Sequence, residues 1–335
     1  MHLNKINQFG GKLSMSTKQK FKMAMLMPLN IQMFAGPLNY AENYQRALQQ
    51  RYPGRLYFEK LWNTPSNSMV QFINANTIKL PKLTITSGRK DYGRDTVTTP
   101  GRNFENDWET KQLTNDRYWD TLIDPMDIDE TNLAASIANI TKVYNDEEKI
   151  PEKDKYMISR LFAEKTRIDS GAGNKEVAIT AANALTVFDE LMERMDENEV
   201  PQEGRIMYVT PTVKTALKQA QQVGRSLSVQ NNNGVISRGV ERLDEVELIS
   251  VPSVRMKTLY NFSNGAVADP TAKQITMLLI HPSCMAAPEK YAFVSLDAPS
   301  AKTAGKYFYF ERSYDDVFGF DTKSEGMLFV TTPSV

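Results

Sequence analysis

Residues 68–115 constrain this chain more than any other stretch. Asn76-Thr77-Ile78-Lys79-Leu80-Pro81-Lys82-Leu83-Thr84-Ile85 alternates apolar and polar residues, the two-residue period of a strand. Gly88-Arg89-Lys90-Asp91-Tyr92-Gly93-Arg94-Asp95 is polar and turn-rich, and Asp107-Trp108-Glu109-Thr110-Lys111-Gln112-Leu113 is a second extended run. The pattern predicts a long hairpin whose arms carry lysines and threonines among few apolar groups. Pro81 offers no N–H to a ladder, so its strand should lie at a sheet edge. A two-stranded hairpin is marginal in water by itself. It must therefore lie against something else, as a lid in an enzyme or as an arm over a neighbour in an assembly protein.

The remaining composition bounds the class. A chain of 335 residues suggests about two domains and can bury a sizeable core. Lys plus Arg equals Asp plus Glu at 40 each. A general polyanion binder would need a basic surplus, although local basic patches remain open. Cys284 is the only cysteine, which excludes an internal disulfide and a multi-thiolate metal site and fits synthesis in a reducing cytoplasm. The histidines are His2 and His281. A nucleophile–His–acid device would have to rest on His281, because His2 lies on a tail. No run approaches the roughly 18 continuous apolar residues of a membrane helix.

Further along, Tyr40, Tyr44, Ala47 and Leu48 lie at helical spacing within 40–60, and Tyr52-Pro53-Gly54 is a stop. A second short element, Leu56 to Trp62, ends at Asn63-Thr64-Pro65. Residues 126–170 hold the longest helical pattern. Leu133, Ile137, Ile140 and Tyr144 share one face, and Met157, Ile158, Leu161, Phe162 and Ile168 continue it beyond an interruption at Ile150-Pro151. Ser170-Gly171-Ala172-Gly173-Asn174 is a break and a domain junction. Residues 180–200 form a helix with Leu185, Phe188, Met192 and Met195 on its apolar face. Ile206 to Val209 reads as a buried strand, followed by Thr210-Pro211 as a helix start and by Val213, Leu217 and Ala220 as that helix's apolar face. Residues 225–239 are loop-like. Val246 to Val251 and Gln274 to Ile280 read as strands around a loop from Arg255 to Asp269, and Lys306 to Arg312 and Met327 to Val330 as C-terminal strands.

Few groups suggest chemistry. Asp124-Pro125-Met126-Asp127-Ile128-Asp129-Glu130 concentrates acids, but the turn glycine and distal Glu of a calcium loop are missing. Capping of the next helix explains them better. Gly171-Ala172-Gly173-Asn174-Lys175 lacks the spacing of a phosphate loop. His281 and Cys284, at the end of an apolar strand, read as packing rather than as a thiol nucleophile or a metal pair. Asp315-Asp316 reads as a turn and an inter-subunit charge site. No catalytic constellation emerges, and no cofactor is expected.

The first 41 residues carry no acid, only Lys5, Lys12, Lys18, Lys20 and Lys22. Pro28, Asn30 and Gln32 cut short the apolar stretch that a secretory signal requires. Leu29-Asn30-Ile31-Gln32-Met33-Phe34-Ala35-Gly36 resembles a short leader found in Firmicutes on a ribosomal large-subunit protein and on phage capsid and scaffold proteins. That resemblance implies cleavage between Ala35 and Gly36 by a host cysteine protease. Ile31 and Met33 depart from its Leu and Phe. Cleavage there would remove five of the 40 basic residues and none of the 40 acidic ones, leaving a net charge of −5. The alternative is an arm that stays attached and packs on a neighbour.

The order of motifs extends the resemblance from about Pro28 to the C-terminus. Asn76 to Pro81, Asp91-Tyr92-Gly93-Arg94, Trp108-Glu109-Thr110, Asp116-Arg117 and Asp124 to Thr131 come first. Ile150 to Asp154, Arg205 to Leu217, Val251-Pro252-Ser253, Ile280 to Ser283, Glu289-Lys290-Tyr291 and Arg312 with Tyr314-Asp315-Asp316 follow. With these motifs the chain resembles major capsid proteins of Firmicutes tailed bacteriophages, of the Hong Kong 97 phage type.

The resemblance implies an α+β capsid fold: a basic leader or arm at 1–35, an N-arm at 36–67 and an extended hairpin loop at 68–115. A peripheral domain with a long spine helix would comprise 116–177 and 281–335, and an axial α/β domain 178–280. It implies a structural subunit, not an enzyme, that assembles into pentamers and hexamers around double-stranded DNA in the host bacterial cytoplasm and ends in the virion capsid. Scaffold and portal proteins would be its partners, and no membrane would be involved. Lys79, Lys82, Arg89, Lys90 and Arg94 would make inter-subunit contacts from the extended loop. Some relatives cross-link a loop lysine to a neighbour's asparagine, but no acceptor or assisting glutamate can be matched here, so no cross-link is expected. A cellular nanocompartment shell of the encapsulin type is the alternative within the same fold.

Overall fold

A computed structural model describes residues 54–74, 76–91, 94, 101–130, 137–220 and 240–333. The expected helix over 40–60 lies mostly outside these residues, and so do Leu133, the loop at 225–239 and the Ala35–Gly36 site.

The framework is a six-stranded mixed sheet ordered Lys175–Glu176, Met327–Thr331, Ile275–Ile280, Ile206–Val209, Val246–Ser250, Arg242–Leu243. Its three central strands are buried at every position. Alternate side chains feed two separate cores. Ile206, Tyr208, Leu278, Ile280, Met327 and Phe329 join Phe58, Leu61, Met157, Ile158 and Leu161 on one face. Met207, Val209, Met277, Leu279, Leu328 and Val330 join the helices Ala184–Glu197 and Pro211–Gln219 on the other. A sheet covered on both faces needs unbroken apolar runs, which is why these strands were readable. The last strand, Met327–Thr331, pairs with Ile275–Ile280 and so returns the C-terminal region to this sheet.

The helix Ala184–Glu197 buries Ala184, Val187, Phe188, Leu191 and Met195. Leu185 and Met192, expected on that face, are half-buried at its flank. The buried stripe includes i+3 as well as i+4 steps and is turned by about one residue from the expected one.

The long helix has no break at Ile150-Pro151. Ile137–Tyr144 passes through a π-helical turn, Asn145–Lys149, into Ile150–Asp169. Tyr144 and Ile150 keep right-handed helical dihedrals. Pro151 sits in the first turn of the last segment, and the wider turn before it absorbs the ladder bond that proline cannot make. Gly54 lies against this turn: a Cβ there would stand 2.3 Å from the Asp146 carbonyl oxygen. The expected break at Ser170 is present, with Ser170, Gly171 and Gly173 at φ of 56°, 77° and 83°.

The hairpin pairs Thr77–Ile85 with Phe104–Gln112, in register from Thr77 opposite Gln112 to Ile85 opposite Phe104. On the other side of Thr77–Ile85, Ile78 and Lys79 pair with Phe72 and Gln71, the Thr77 carbonyl accepts from Ile73 N, and no described strand pairs beyond Lys79. The strand is thus the middle one of a three-stranded sheet rather than the edge expected of it, but Pro81 lies beyond the short stretch that Gln71–Phe72 covers, where that side is open among the described residues. A further sheet has the order Glu289–Asp297, Tyr307–Asp315, Asn115–Ile123. Its middle strand contains the expected run from Tyr307 to Arg312 but leaves out Lys306, whereas its two outer strands were not foreseen. The expected loop from Arg255 to Asp269 contains a small pairing of Tyr260–Asn261 with Val267–Ala268.

Candidate assembly surfaces

The hairpin is rooted in a small apolar cluster of Ile78, Leu113 and Phe318. Lys111 is buried beside it. Its ammonium donates to the Gly319 carbonyl and lies 3.0 Å from Glu109 Oε1, 3.5 Å from Glu164 Oε2 and 3.8 Å from Asp321 Oδ1. Beyond this root the apolar side of the hairpin changes. Ile78 and Leu80 point to one face and are buried. Leu83 and Ile85 point to the other and are 65% and 66% exposed. Cross-strand partners share a face, so Pro81, Leu83 and Ile85 align with Trp108, Asn106 and Phe104. The opposite face of this outer segment carries Lys82 against Asp107 and Thr84 against Glu105. The distal hairpin is thus amphipathic, with its apolar face in water. Fully covering a Leu or Ile side chain is worth about 1.5–3 kcal/mol.

The five cations expected to make contacts all lie on this arm. Lys79 and Lys82 are half-buried in its strands, whereas Arg89, Lys90 and Arg94 are exposed toward its tip. No described side chain pairs with them. The sequence reading found these charges and missed the apolar face beside them. The available signal was the shift of the apolar positions from even numbers to odd ones across Pro81.

The three-stranded sheet packs one face on the long helix through charge. Lys149 reaches Glu311 at 2.9 Å, Arg117 reaches Glu152 at 2.7 Å and Lys153 reaches Asp315 at 3.3 Å. Trp119 stacks on Tyr144 with ring centres 3.9 Å apart. Its other face is aromatic and open. Phe310 sits among Tyr118, Phe293 and Phe308 at ring distances of 6.1–6.3 Å. Leu122 and Tyr291 extend this face, and both are exposed.

Asp315 and Asp316 are not the surface charge site expected of them. Both are buried. Asp316 accepts from Thr114 N at 2.7 Å, Tyr156 OH at 2.6 Å and Val317 N at 2.8 Å. It joins the end of the hairpin, the long helix and the C-terminal chain inside one subunit. Asp154 does similar work for the N-terminal side. It accepts from the backbone N–H groups of Tyr57 and Phe58 and from Arg255 Nη1 at 2.7 Å. Burial raises its pKa above the usual carboxylate value and outweighs these donors.

The remaining polar motifs are structural. Asp124 Oδ1 accepts from Met126 N at 3.0 Å, a capping contact on the helix Pro125–Glu130. Asn174 accepts from Phe329 N. The imidazole of His281 caps the short helix Pro282–Cys284 by accepting from Ser283 N. Burial pushes the Cys284 thiol up to about 12, far from the range of a nucleophile. Among the described residues no cluster of His, Cys, Asp and Glu is arranged to hold a metal ion, and no helix is long and apolar enough to cross a membrane.

No protein-family model matches the chain, and no curated protein matches it in sequence. Its fold is nevertheless shared with solved phage structures. The mature capsid of bacteriophage PhiM1 matches 78% of this chain and 83% of its own at TM-score 0.59 and 15% identity. The capsid of cyanophage P-SCSP1u matches 85% and 90% at TM-score 0.57 and 11% identity. The head structure of Helicobacter pylori bacteriophage KHP40 matches 86% and 94% at TM-score 0.56 and 9% identity. The chain therefore has the α+β fold of phage capsid proteins.

Proposed function

We propose that this chain is the structural subunit of an icosahedral tailed-phage capsid and carries no catalytic activity. The observation that carries the reading is the long hairpin whose outer half holds Leu83, Ile85, Phe104 and Trp108 in water. Such a face gains stability only when another surface covers it. Its root is fixed to the body by Lys111 and Asp316, so the arm is held ready to reach a neighbour. The capsid fold supports the same conclusion. Pentamers and hexamers of this chain would enclose double-stranded DNA, with scaffold and portal proteins as assembly partners in a host bacterium. Residues 1–35 would form the leader, cut between Ala35 and Gly36 by a host cysteine protease, and 36–67 the N-arm.

In this reading residues 68–115 are the arm and 178–280 the axial domain. Residues 116–177 and 281–335 form the peripheral domain, with Met327–Thr331 returning to pair in the axial sheet. Lys79, Lys82, Arg89, Lys90 and Arg94 bring positive charge to the covered neighbour. Electron microscopy of the purified full chain, with and without a co-expressed scaffold protein, tests the proposal. Closed shells or rings are expected. A monodisperse monomer under both conditions would overturn it.

A further inference from the structure

The loop at 262–266 joins Tyr260–Asn261 to Val267–Ala268 and is held from two sides. Arg117 Nη1, on the strand Asn115–Ile123, donates to the Phe262 carbonyl at 2.6 Å. Lys155 Nζ, on the long helix, donates to the Ala266 carbonyl at 2.7 Å. Between these fixed points lie Asn264 and Gly265. Asn-Gly is a common turn pair, because both residues tolerate tight backbone geometry, and Gly265 does stand at φ 68°. The turn leaves the reactive groups of the pair unoccupied. Asn264 is exposed, and neither its carboxamide nor the Gly265 N–H has a hydrogen-bond partner among the described residues. Asn261 is the contrast: its Oδ1 accepts from Ser263 N at 2.9 Å and from Ser263 Oγ at 2.6 Å. At Asn264 an unbonded backbone nitrogen follows an unbonded side-chain amide, and the residue carrying that nitrogen has no Cβ to hinder approach.

We propose that Asn264 is a site of self-modification, converting to aspartate and isoaspartate in the folded protein. The Gly265 backbone nitrogen gives its proton to water and attacks Cγ of Asn264. The new C–N bond closes a cyclic imide, the Cγ–Nδ2 bond breaks, and the side-chain nitrogen leaves as ammonia. Water then opens the imide. Opening at Cγ leaves aspartate. Opening at the main-chain carbonyl of residue 264 leaves isoaspartate, with the chain running through the former side chain. Water is the only co-reactant. Either product adds a negative charge to a turn that lies against Glu148, whose Oε2 would stand 3.7 Å from a Cβ on Gly265. Like charges brought together repel. Isoaspartate also adds a carbon to the backbone between the Phe262 and Ala266 carbonyls. The longer path strains the contacts from Arg117 and Lys155, so the modified subunit loosens the seam between this loop, the strand and the long helix. The change accumulates with time and marks the age of each subunit. It does not depend on the shell reading.

Peptide mass mapping of the full chain tests it. Trypsin cuts after Lys257 and Lys273 and so releases Asn261 and Asn264 on the same peptide. The folded chain is held at mildly alkaline pH in heavy-oxygen water, well below its melting temperature, and a second sample is held in urea. Fragment masses from the folded sample should place an acid with one heavy oxygen at position 264, in two separable isomers, while Asn261 keeps its amide. An intact amide at 264 in the folded chain would overturn the proposal, whether or not the urea sample converts. Equal conversion at 261 and 264 in the folded chain would overturn it as well, because the turn would then select nothing. The thermal midpoint of the unsubstituted chain should fall as its acid fraction grows. Asn264→Gln keeps an exposed carboxamide on a longer stem, which disfavours the ring, and should hold its midpoint through the same incubation. Equal falls in the two chains, or none in either, would overturn the loosening of the seam.

Discussion

Lys111 Nζ lies 3.5 Å from Glu164 Oε2, and both side chains are almost fully buried. Lys111 belongs to the hairpin and Glu164 to the long helix, so this pair sets how the arm leaves the body. Glu164 also meets Arg167 at 3.0 Å and Arg160 at 3.7 Å. A lysine buried among Glu109, Glu164 and Asp321 is an electrostatic bolt beside the small apolar cluster of Ile78, Leu113 and Phe318.

Lys111→Met should loosen that bolt. The methionine keeps most of the stem's packing against Phe318 and removes the charge. Glu164 retains its arginines, so the cost should be that of lost charged hydrogen bonds, about 1.5–3 kcal/mol, below that of stranding a buried ion. Urea unfolding measures the loss, and limited proteolysis should show earlier cutting in the hairpin. An unchanged midpoint with unchanged cutting would assign the anchoring to Ile78 and Leu113 alone.

Leu83→Asp with Ile85→Asp should separate assembly from folding. Both positions are about two-thirds exposed, and exposed substitutions usually change stability by less than about 0.5 kcal/mol. The thermal midpoint of the unassembled chain should therefore hold while shells disappear from electron micrographs. A control at Thr84, on the polar face, should leave assembly intact. Normal shells from the double variant would remove the hairpin's apolar face from the interface.

The contrast between these two regions also explains what the sequence could reveal. The hairpin was readable from its period of two and from Pro81. The central strands were readable because two cores flank them and force runs such as Met277 to Ile280. The strands Asn115–Ile123 and Glu289–Asp297 escaped because their sheet inverts the usual pattern. Its packed face carries Arg117, Glu311 and Asp315, which meet Lys149, Glu152 and Lys153 of the helix, while Tyr118, Tyr291 and Phe293 lie exposed on the other face. A rule that sends apolar groups inward fails where a charged seam is the inside and exposed rings are the outside. The misjudged Asp315 and Asp316 belong to the same seam. The helix break expected at Pro151 failed for a different reason, because a π-helical turn accommodates the proline and leaves no trace in hydrophobic periodicity.

Gly54→Ala should report on that π-helical turn. The added Cβ would stand 2.3 Å from a backbone oxygen, that of Asp146, and a carbonyl in a helix has little room to yield. Either the N-terminal chain or the turn must move, at about 1–3 kcal/mol for an overpacked contact. Thermal unfolding should show the loss. A midpoint equal to that of the unsubstituted chain would mean that residues before Tyr57 are free to swing away from the helix.

His281 should make stability fall on the acid side of neutrality. Its Nδ1 accepts from Ser283 N at 3.2 Å, and its Nε2 lies 3.0 Å from the Glu203 carbonyl oxygen. Together these contacts require the neutral ring with the proton on Nε2. Burial holds its pKa below the ordinary 6.5, with Arg205 and Lys323 adding to the effect, although the Glu203 carbonyl opposes it. A depressed histidine pKa means that the unfolded chain takes up a proton more readily than the folded one. The contribution is therefore present above the unfolded value near 6.5 and is lost as pH falls through the folded value. Protonation would also turn Nδ1 into a donor facing the Ser283 N–H and cancel the cap. His281→Asn keeps a capping oxygen and removes the titration. Between about pH 7.5 and pH 5, the thermal midpoint of the unsubstituted chain should fall further than that of the asparagine variant. Parallel curves for the two proteins would place the acid sensitivity elsewhere.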